Sequence, residues 1–257
     1  MSQPVASPNS VSTIDLWKAL AISLMLIDHY GHFFATDETI WRALGRTCVP
    51  IWFFLIGYAR TRGVPWTWVA AGVGLTALDF WGSSDNSDRY LNILLNFALI
   101  RFCLPWIERH VLVSRFRFLM FAAGLAAVEP FAGRVLEYGT VGALLAMAGL
   151  AHRHWLASAH TPEEQANWIV RLAIAAFGII YFAYVEHQIH LFPLWQLLLM
   201  LSLMTLFGIG LILFRPGRHH QAPALLAPVL RFAGRYSLEI YAVHLAALLV
   251  YQGLTNT

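Results

Sequence analysis

The segment DLWKALAISLMLIDHYGHFF, Asp15 to Phe34, has the composition of a membrane helix with polar residues near its end. Crossing the hydrocarbon core of a bilayer takes about 20 predominantly apolar residues, and Leu, Ile, Ala and Met supply most of them here. Asp28, His29 and His32 interrupt this apolar run. An ionisable side chain in hydrocarbon costs at least about 2.5–3.5 kcal/mol, so such residues face a bundle interior or a water-filled cavity.

The rest of the chain resembles this segment in composition. Of its 257 residues, 58% are hydrophobic and 12% are charged, and the mean hydropathy is +0.60. Soluble domains carry about 25% charged residues. Long apolar blocks separated by short charged clusters are typical of polytopic helical membrane proteins. We therefore predict an all-α transmembrane bundle, with a single membrane-embedded domain over residues 14–257 and a flexible tail over residues 1–13.

The apolar blocks predict about nine spans, and eight to ten are compatible with the pattern. Three blocks are short for a bilayer, so local thinning or a re-entrant segment would have to accommodate them. The predicted spans are 14–34, 47–60, 65–81, 90–108, 116–129, 134–152, 167–186, 191–214 and 236–253. The basic, Pro-containing stretch 215–235 predicts a short interfacial helix before the last span.

The basic residues predict the orientation of the chain in the membrane. Loops after even-numbered spans hold 11 of the 17 Lys and Arg residues, and loops after odd-numbered spans hold four. Because positively charged loops stay in the cytoplasm, the N-terminus is predicted to be cytoplasmic and the C-terminus periplasmic. This placement also explains the net charge of +3, which therefore does not indicate nucleic-acid binding.

The first predicted span carries the candidate catalytic residues. Helix geometry places Lys18 and His29 on one face, about 16 Å apart along the axis, so both could line one tunnel. A neutral imidazole takes protons from alcohols or amines at neutral pH, so His29 is a candidate general base. Asp28 could stabilise the resulting imidazolium, or it could bind a neighbouring helix while another residue orients His29. A purely structural polar cluster remains the alternative for all of them.

Further polar residues lie in the other predicted spans. Arg101 could bind a phosphate or carboxylate through its guanidinium fork, or it could pair with a carboxylate of the bundle. Arg46 would enter the membrane at a depth near that of His29 and could contact an acceptor. Tyr241 and His244 share one face of the last span and could line a substrate pocket.

Two other patterns carry little functional information. The two cysteines, Cys48 and Cys103, lie in apolar stretches without a metal-binding or redox spacing, and we expect them to be small core residues. The His-x-x-His spacing at 187–190 lacks a third ligand, so no metal site is predicted.

Three stretches resemble TraX-type membrane proteins. They are the opening helix with its basic residue and Asp-His ending, LGRTCVPIWFFLIGYARTRG at 44–63, and GRYSLEIYAVHLAALLVY at 234–251. Together they cover about a fifth of the chain. More distantly, the basic residue upstream of the helix histidine is similar to the first helix of acyltransferase-3 enzymes. The usual residue there is Arg, and this chain has Lys18, which weakens the transfer of a phosphate-binding role to this position.

The resemblance implies an integral membrane acyltransferase of the bacterial inner membrane. It would move an acetyl group from acetyl-CoA to an amine or hydroxyl, with His29 as the catalytic base and Asp28 beside it. TraX is associated with N-terminal acetylation of conjugative pilin, so the implied acceptor is a pilin-like protein, an envelope glycan or a lipid. The predicted contacts are Lys18 and Arg101 for coenzyme A, and Arg46, Tyr241 and His244 for the acceptor.

Two other functions fit the same residues. A proton-coupled small-molecule transporter would use Asp28 and His29 as a relay. A membrane assembly factor would need no catalysis at all.

Overall fold

The computed structural model describes residues 9–82 and 90–255 of the chain. These residues form eleven helices and two short strands. The elements are β1 (Ser10–Ser12), α1 (Thr13–Phe33), α2 (Thr39–Gly45), α3 (Cys48–Tyr58), α4 (Trp66–Gly82), α5 (Ile93–His110), α6 (Arg115–Ala132), α7 (Val141–Ala157), α8 (Pro162–His190), α9 (Leu194–Ile212), β2 (His219–Gln221), α10 (Leu226–Arg235) and α11 (Ser237–Thr255).

The all-α prediction is confirmed, and each of the nine predicted spans overlaps one helix. Among the described residues, α8, α9 and α11 are long and apolar enough to cross a membrane by length and composition. Helix α1 has 21 residues, but Asp15, Lys18 and Asp28 reduce its apolar character. The fold is therefore that of a helical protein with candidate membrane spans.

Helix α2 is an element that the sequence analysis did not predict. It lies between the first two predicted spans and packs against α1. Gly45 makes this contact possible, because a Cβ atom at that position would lie only 2.4 Å from the Cα atom of Asp28. The consequence is that α2 brings Arg42, and Arg46 directly after its end, onto the polar end of α1.

The predicted interfacial helix corresponds to α10, which packs against α1. Gly234 allows a close approach, since a Cβ atom there would lie 2.5 Å from the Cα atom of Asp15. The other side of the helix leaves large apolar residues exposed, among them Val229 and Phe232. An exposed apolar face beside basic residues is typical of helices that lie in a membrane interface.

The predicted flexible tail is partly ordered. Residues 1–8 lie outside the described part of the chain, whereas Ser10–Ser12 pair in antiparallel fashion with His219–Gln221. Ser12 caps α1, because its hydroxyl accepts a hydrogen bond from the Asp15 amide at 3.1 Å and donates one to the Asp15 carboxylate at 2.6 Å. The prediction of a tail is therefore wrong for residues 10–12.

Helix α3 lies at the centre of the bundle, and every one of its residues is buried. It packs most closely against α7, where a Cβ atom at Gly57 would lie 1.8 Å from the carbonyl oxygen of Ala146. Cys48 at its start is a buried free thiol. With 11 residues, α3 is only about 16 Å long, so the loop that follows it lies beside the middle of α5.

Candidate functional site

A cavity of about 280 Å³ lies at the end of the bundle where α1 ends and where α5 and α7 begin. By the charge of the loops, this is the end predicted to face the periplasm. Side chains from several helices and the loop before α7 contribute polar groups to its wall. Among them are Asp28, His29, Arg42, Arg46, Glu137 and Glu186.

His29 lines both this cavity and a smaller one of about 20 Å³. Its Nδ1 atom lies 2.5 Å from Nε2 of His244, and the two ring centroids are 4.7 Å apart. The Nδ1 atom of His244 lies 2.8 Å from the backbone carbonyl oxygen of Ile240. Among the described residues, Nε2 of His29 has no hydrogen-bond partner and is not sealed from solvent. One ring nitrogen of His29 is thus held by the protein and the other is available to a bound molecule.

The carboxylate of Asp28 holds α1 against the neighbouring segment that carries Arg42 and Arg46. Arg42 donates from Nη1 to its carboxylate at 2.7 Å and to its backbone carbonyl at 3.2 Å. The Nε atom of Arg46 lies 3.5 Å from the other carboxylate oxygen. This geometry corresponds to the alternative in which Asp28 binds a neighbouring helix and another residue, here His244, orients His29.

Arg46 is held between two carboxylates. Its Nε atom lies 3.2 Å from Oε2 of Glu186, in addition to its contact with Asp28. Its Nη1 atom donates a hydrogen bond to the Tyr138 hydroxyl, and His190 lies 3.4 Å from Glu186. Arg46 does line the large cavity, as expected of an acceptor contact, but its charge is already compensated within the protein.

Arg42 and Glu186 line the large cavity but were not among the predicted site residues. The structure places Arg42 in α2 and buries Glu186 within α8. The available signal was a charged residue within an apolar helix, spaced four residues from His190. Such a residue usually marks a polar contact between helices.

The wall of the large cavity is rich in carboxylates. Its lining includes five of them and the two guanidinium groups of Arg42 and Arg46. Glu129 accepts hydrogen bonds from the first backbone amides of α7, and Glu137 accepts one from the amide of Ile93 at the start of α5. Helix N-termini stabilise negative charge, which explains how these two acids are tolerated here.

Tyr241 borders the small cavity next to His29. Its hydroxyl accepts a hydrogen bond of 2.7 Å from the side-chain amide of Asn92, and its ring centroid lies 5.9 Å from that of His29. Tyr241 and His244 of the last predicted span therefore both contact His29, and a substrate contact at these residues stays a prediction. Tyr241 lines the small cavity, whereas His244 is absent from the lining of both cavities.

Lys18 is absent from the lining of both cavities. Two carboxylates, those of Asp15 and Glu239, act on it electrostatically from within the protein. The prediction that Lys18 and His29 line one tunnel is therefore wrong for these two cavities. Two residues on one helix face need not line the same cavity, because they lie at different levels along the helix axis and contact different neighbours there.

Arg101 is also absent from both linings. It donates from Nη2 to the carbonyl and hydroxyl oxygens of Thr61, at 2.7 Å each. Its guanidinium carbon lies 4.9 Å from the ring centroid of Trp68. These hydrogen bonds place Arg101 against the loop after α3 and not against Asp28. The charged group that acts on Arg101 electrostatically is another cation, Arg62.

A second polar cluster lies near the cytoplasmic end predicted from the loop charges. Glu108 binds Arg62 at 2.9 Å, Arg153 at 2.6 Å and His154 at 2.8 Å. Both arginines also donate to the carbonyl oxygen of Ala59. This end of the bundle is thus rich in guanidinium groups, in contrast to the acidic cavity at the other end.

The sequence model of the TraX protein family matches residues 13–252. The chain belongs to the TraX family. This TraX-family protein is 37% identical over 54 residues to an uncharacterised protein of Rickettsia prowazekii (strain Madrid E). The match covers 21% of the TraX-family chain and 22% of that relative, so it spans about a fifth of either protein. No solved structure is significantly similar to this TraX-family protein.

The family membership confirms the resemblance seen in the three motifs. The similarity of this TraX-family protein to acyltransferase-3 enzymes stays a prediction.

Proposed function

We propose that this protein is an integral membrane acyltransferase that moves an acetyl group from acetyl-CoA to an amine. The observation that carries the proposal is the state of His29 in the outer cavity. One of its nitrogens is held by His244, and the other has no partner among the described residues. An imidazole in this arrangement is equipped to act as a general base.

The proposed placement is a bacterial inner membrane crossed about nine times, with the N-terminus in the cytoplasm and the C-terminus in the periplasm. Its support is the overlap of nine helices with the predicted spans. The contrast between the basic and acidic ends of the bundle supports the same orientation, since basic residues collect on the cytoplasmic side.

The reaction needs one general base, which takes a proton from the acceptor and returns it to the leaving group. Nε2 of His29 takes a proton from the acceptor amine as the amine nitrogen attacks the thioester carbonyl carbon. The new C–N bond forms, the C–S bond breaks, and the proton passes from His29 to the departing thiolate. A general base contributes about 10²–10⁴-fold, and positioning in the cavity supplies much of the remainder.

The acidic wall of the cavity favours an amine over a hydroxyl as the acceptor. A wall with five carboxylates and two guanidinium groups attracts cationic groups and repels anionic ones. An amine-bearing pilin-like protein, glycan or lipid therefore suits the site better than an anionic molecule.

The coenzyme A contact is better assigned to Arg101 than to Lys18. Carboxylates act on Lys18, whereas the charge acting on Arg101 is the cation Arg62. Asn92, which binds Tyr241 beside His29, precedes Arg101 by nine residues along α5, or about 13 Å of helix. A flexible thioester arm can bridge a separation of that order.

An Arg101→Gln variant should bind coenzyme A about 10- to 100-fold more weakly, because a hydrogen bond between charged groups is worth about 1.5–3 kcal/mol. Isothermal titration of coenzyme A into the purified protein in detergent measures the affinity. The exposed Arg109 on the same helix supplies the matched control, and Arg109→Gln should bind coenzyme A like the parent. Equal affinities of the parent and the folded Arg101→Gln protein would contradict the assignment.

The proposed function is tested with purified protein in lipid nanodiscs, radiolabelled acetyl-CoA and a series of small primary amines. We expect free thiol to appear together with labelled amide, and both to depend on the amine. Absence of thiol release and of labelled product with every amine would refute acyl transfer to small amines, and a pilin-like peptide with a free N-terminus extends the series.

The transporter alternative is less compatible with the contacts of its proposed relay. Asp28 is held by Arg42 and Arg46, and the proton-bearing chain from His29 through His244 ends at a backbone carbonyl. A carbonyl oxygen does not pass a proton onward. Uptake of a labelled amine into proteoliposomes under a pH gradient would favour transport instead.

A further inference from the structure

We propose that His244 is a positioning residue that fixes the tautomer of His29, so that Nε2 of His29 is the basic nitrogen. The kinetic part of this inference rests on the proposed function. The tautomer itself is a property of the folded protein and can be measured without any activity.

The argument begins at Ile240. A backbone carbonyl oxygen only accepts hydrogen bonds, so the Nδ1 atom of His244, at 2.8 Å, must carry a proton. A neutral imidazole protonated on Nδ1 has its lone pair on Nε2. Ile240 and His244 are four residues apart on one helix, and the helix itself therefore sets this first hydrogen bond.

The hydrogen bond between the two rings then determines which nitrogen of His29 carries the proton. Nε2 of His244 lies 2.5 Å from Nδ1 of His29, and a lone pair on one side requires an N–H on the other. Nδ1 of His29 is therefore the donor. In a neutral His29 the remaining lone pair is on Nε2, the nitrogen without a partner among the described residues.

The neutral state of His244 follows from its surroundings. Within residues 9–82 and 90–255, no carboxylate forms an ion pair with it. A cationic imidazole in the interior without a counter-charge is costly. When His29 takes a proton from the acceptor, its Nδ1–H still donates to His244, which stabilises the imidazolium through a neutral acceptor.

The test uses nitrogen NMR of the full-length protein in micelles with ¹⁵N-labelled histidine, and a His29→Asn variant assigns the His29 signals. In the parent we expect a protonated Nδ1 and an unprotonated Nε2 on His29. A proton found on Nε2 of His29 in the neutral parent overturns the inference directly, without any variant.

Two substitutions separate the tautomer effect from packing. In His244→Asn, the amide can still donate to the carbonyl of Ile240 but does not reach His29, so His29 should lose its single tautomer. In His244→Gln, the amide oxygen lies near the former position of Nε2 and can accept from His29, so the parental tautomer should return. An unchanged His29 spectrum in folded His244→Asn would overturn the inference.

The rates of acyl transfer should change in parallel with the tautomer of His29. We expect His244→Asn to lower kcat about 10- to 100-fold, which is a share of what a general base contributes, while KM for both substrates changes less than about threefold. His244→Gln should recover most of kcat. A parent with the expected tautomer but without acyl transfer would leave the inference standing and remove the proposed function, so the two failures are distinguishable.

Discussion

A His29→Asn variant should fold like the parent and transfer acyl groups about 10²–10⁴-fold more slowly. Asparagine places its amide near the position of Nδ1, where it can still donate to His244, but it has no atom in place of the basic Nε2. The loss should therefore appear in kcat, while coenzyme A still binds, because Arg101 lies outside both cavities. Thiol release from acetyl-CoA in the presence of an amine measures the rate.

His32 provides the matched control for this experiment. It lies one turn further along the same helix, lines the same large cavity and is exposed. His32→Asn should keep the rate within about threefold of the parent, since no reaction step uses it. A folded His29→Asn protein that transfers acyl groups at the parental rate would remove His29 from the mechanism.

An Asp28→Ala variant should lower the free energy of unfolding by about 3–5 kcal/mol. Removing one partner of a buried ion pair leaves an uncompensated charge, and here both Arg42 and Arg46 lose a carboxylate. The contact between α1 and α2 should loosen first, because Asp28 also lies against Gly45. Thermal or denaturant unfolding in detergent, followed by circular dichroism, measures the change.

The exposed acid Asp37, in the turn between the same two helices, is the control for the loss of a negative charge. Asp37→Ala should change the free energy of unfolding by less than about 0.5 kcal/mol. The double variant Asp28→Asn with Arg42→Gln should regain part of the stability lost in Asp28→Ala, since neither charge of that pair remains. Unfolding of Asp28→Ala at the parental midpoint would show that the arginines are compensated elsewhere.

The helical segments could be predicted from the sequence because their pattern is local. About 20 apolar residues in succession meet the requirement of a bilayer, and loops are recognised by charge and by Pro or Gly. Helix α2 escaped prediction because its seven residues are too few to show a periodicity. The short strand β1 escaped for a different reason, since its partner β2 lies some two hundred residues further along the chain.

The candidate site shows the same division at the level of single residues. An acid and two histidines in an apolar helix indicated α1 as part of a candidate site, and the Tyr and His of the last span indicated α11. The contacts between these side chains could not be derived from the sequence, and the roles of Asp28 and Lys18 illustrate this. Asp28 is adjacent to His29 in sequence but is bound by α2, and Lys18 shares a face with His29 but not a cavity.

By itself, the sequence indicated a helical membrane protein, the positions of its helices other than α2, and a polar interior at His29. Composition and spacing within a few turns are sufficient for these conclusions, because they reflect the cost of placing each side chain in lipid. Only the tertiary structure decided that His244, 215 residues away, is the partner of His29. That pairing depends on how α11 packs against α1, and such packing is set by contacts along the whole bundle, which no local pattern contains.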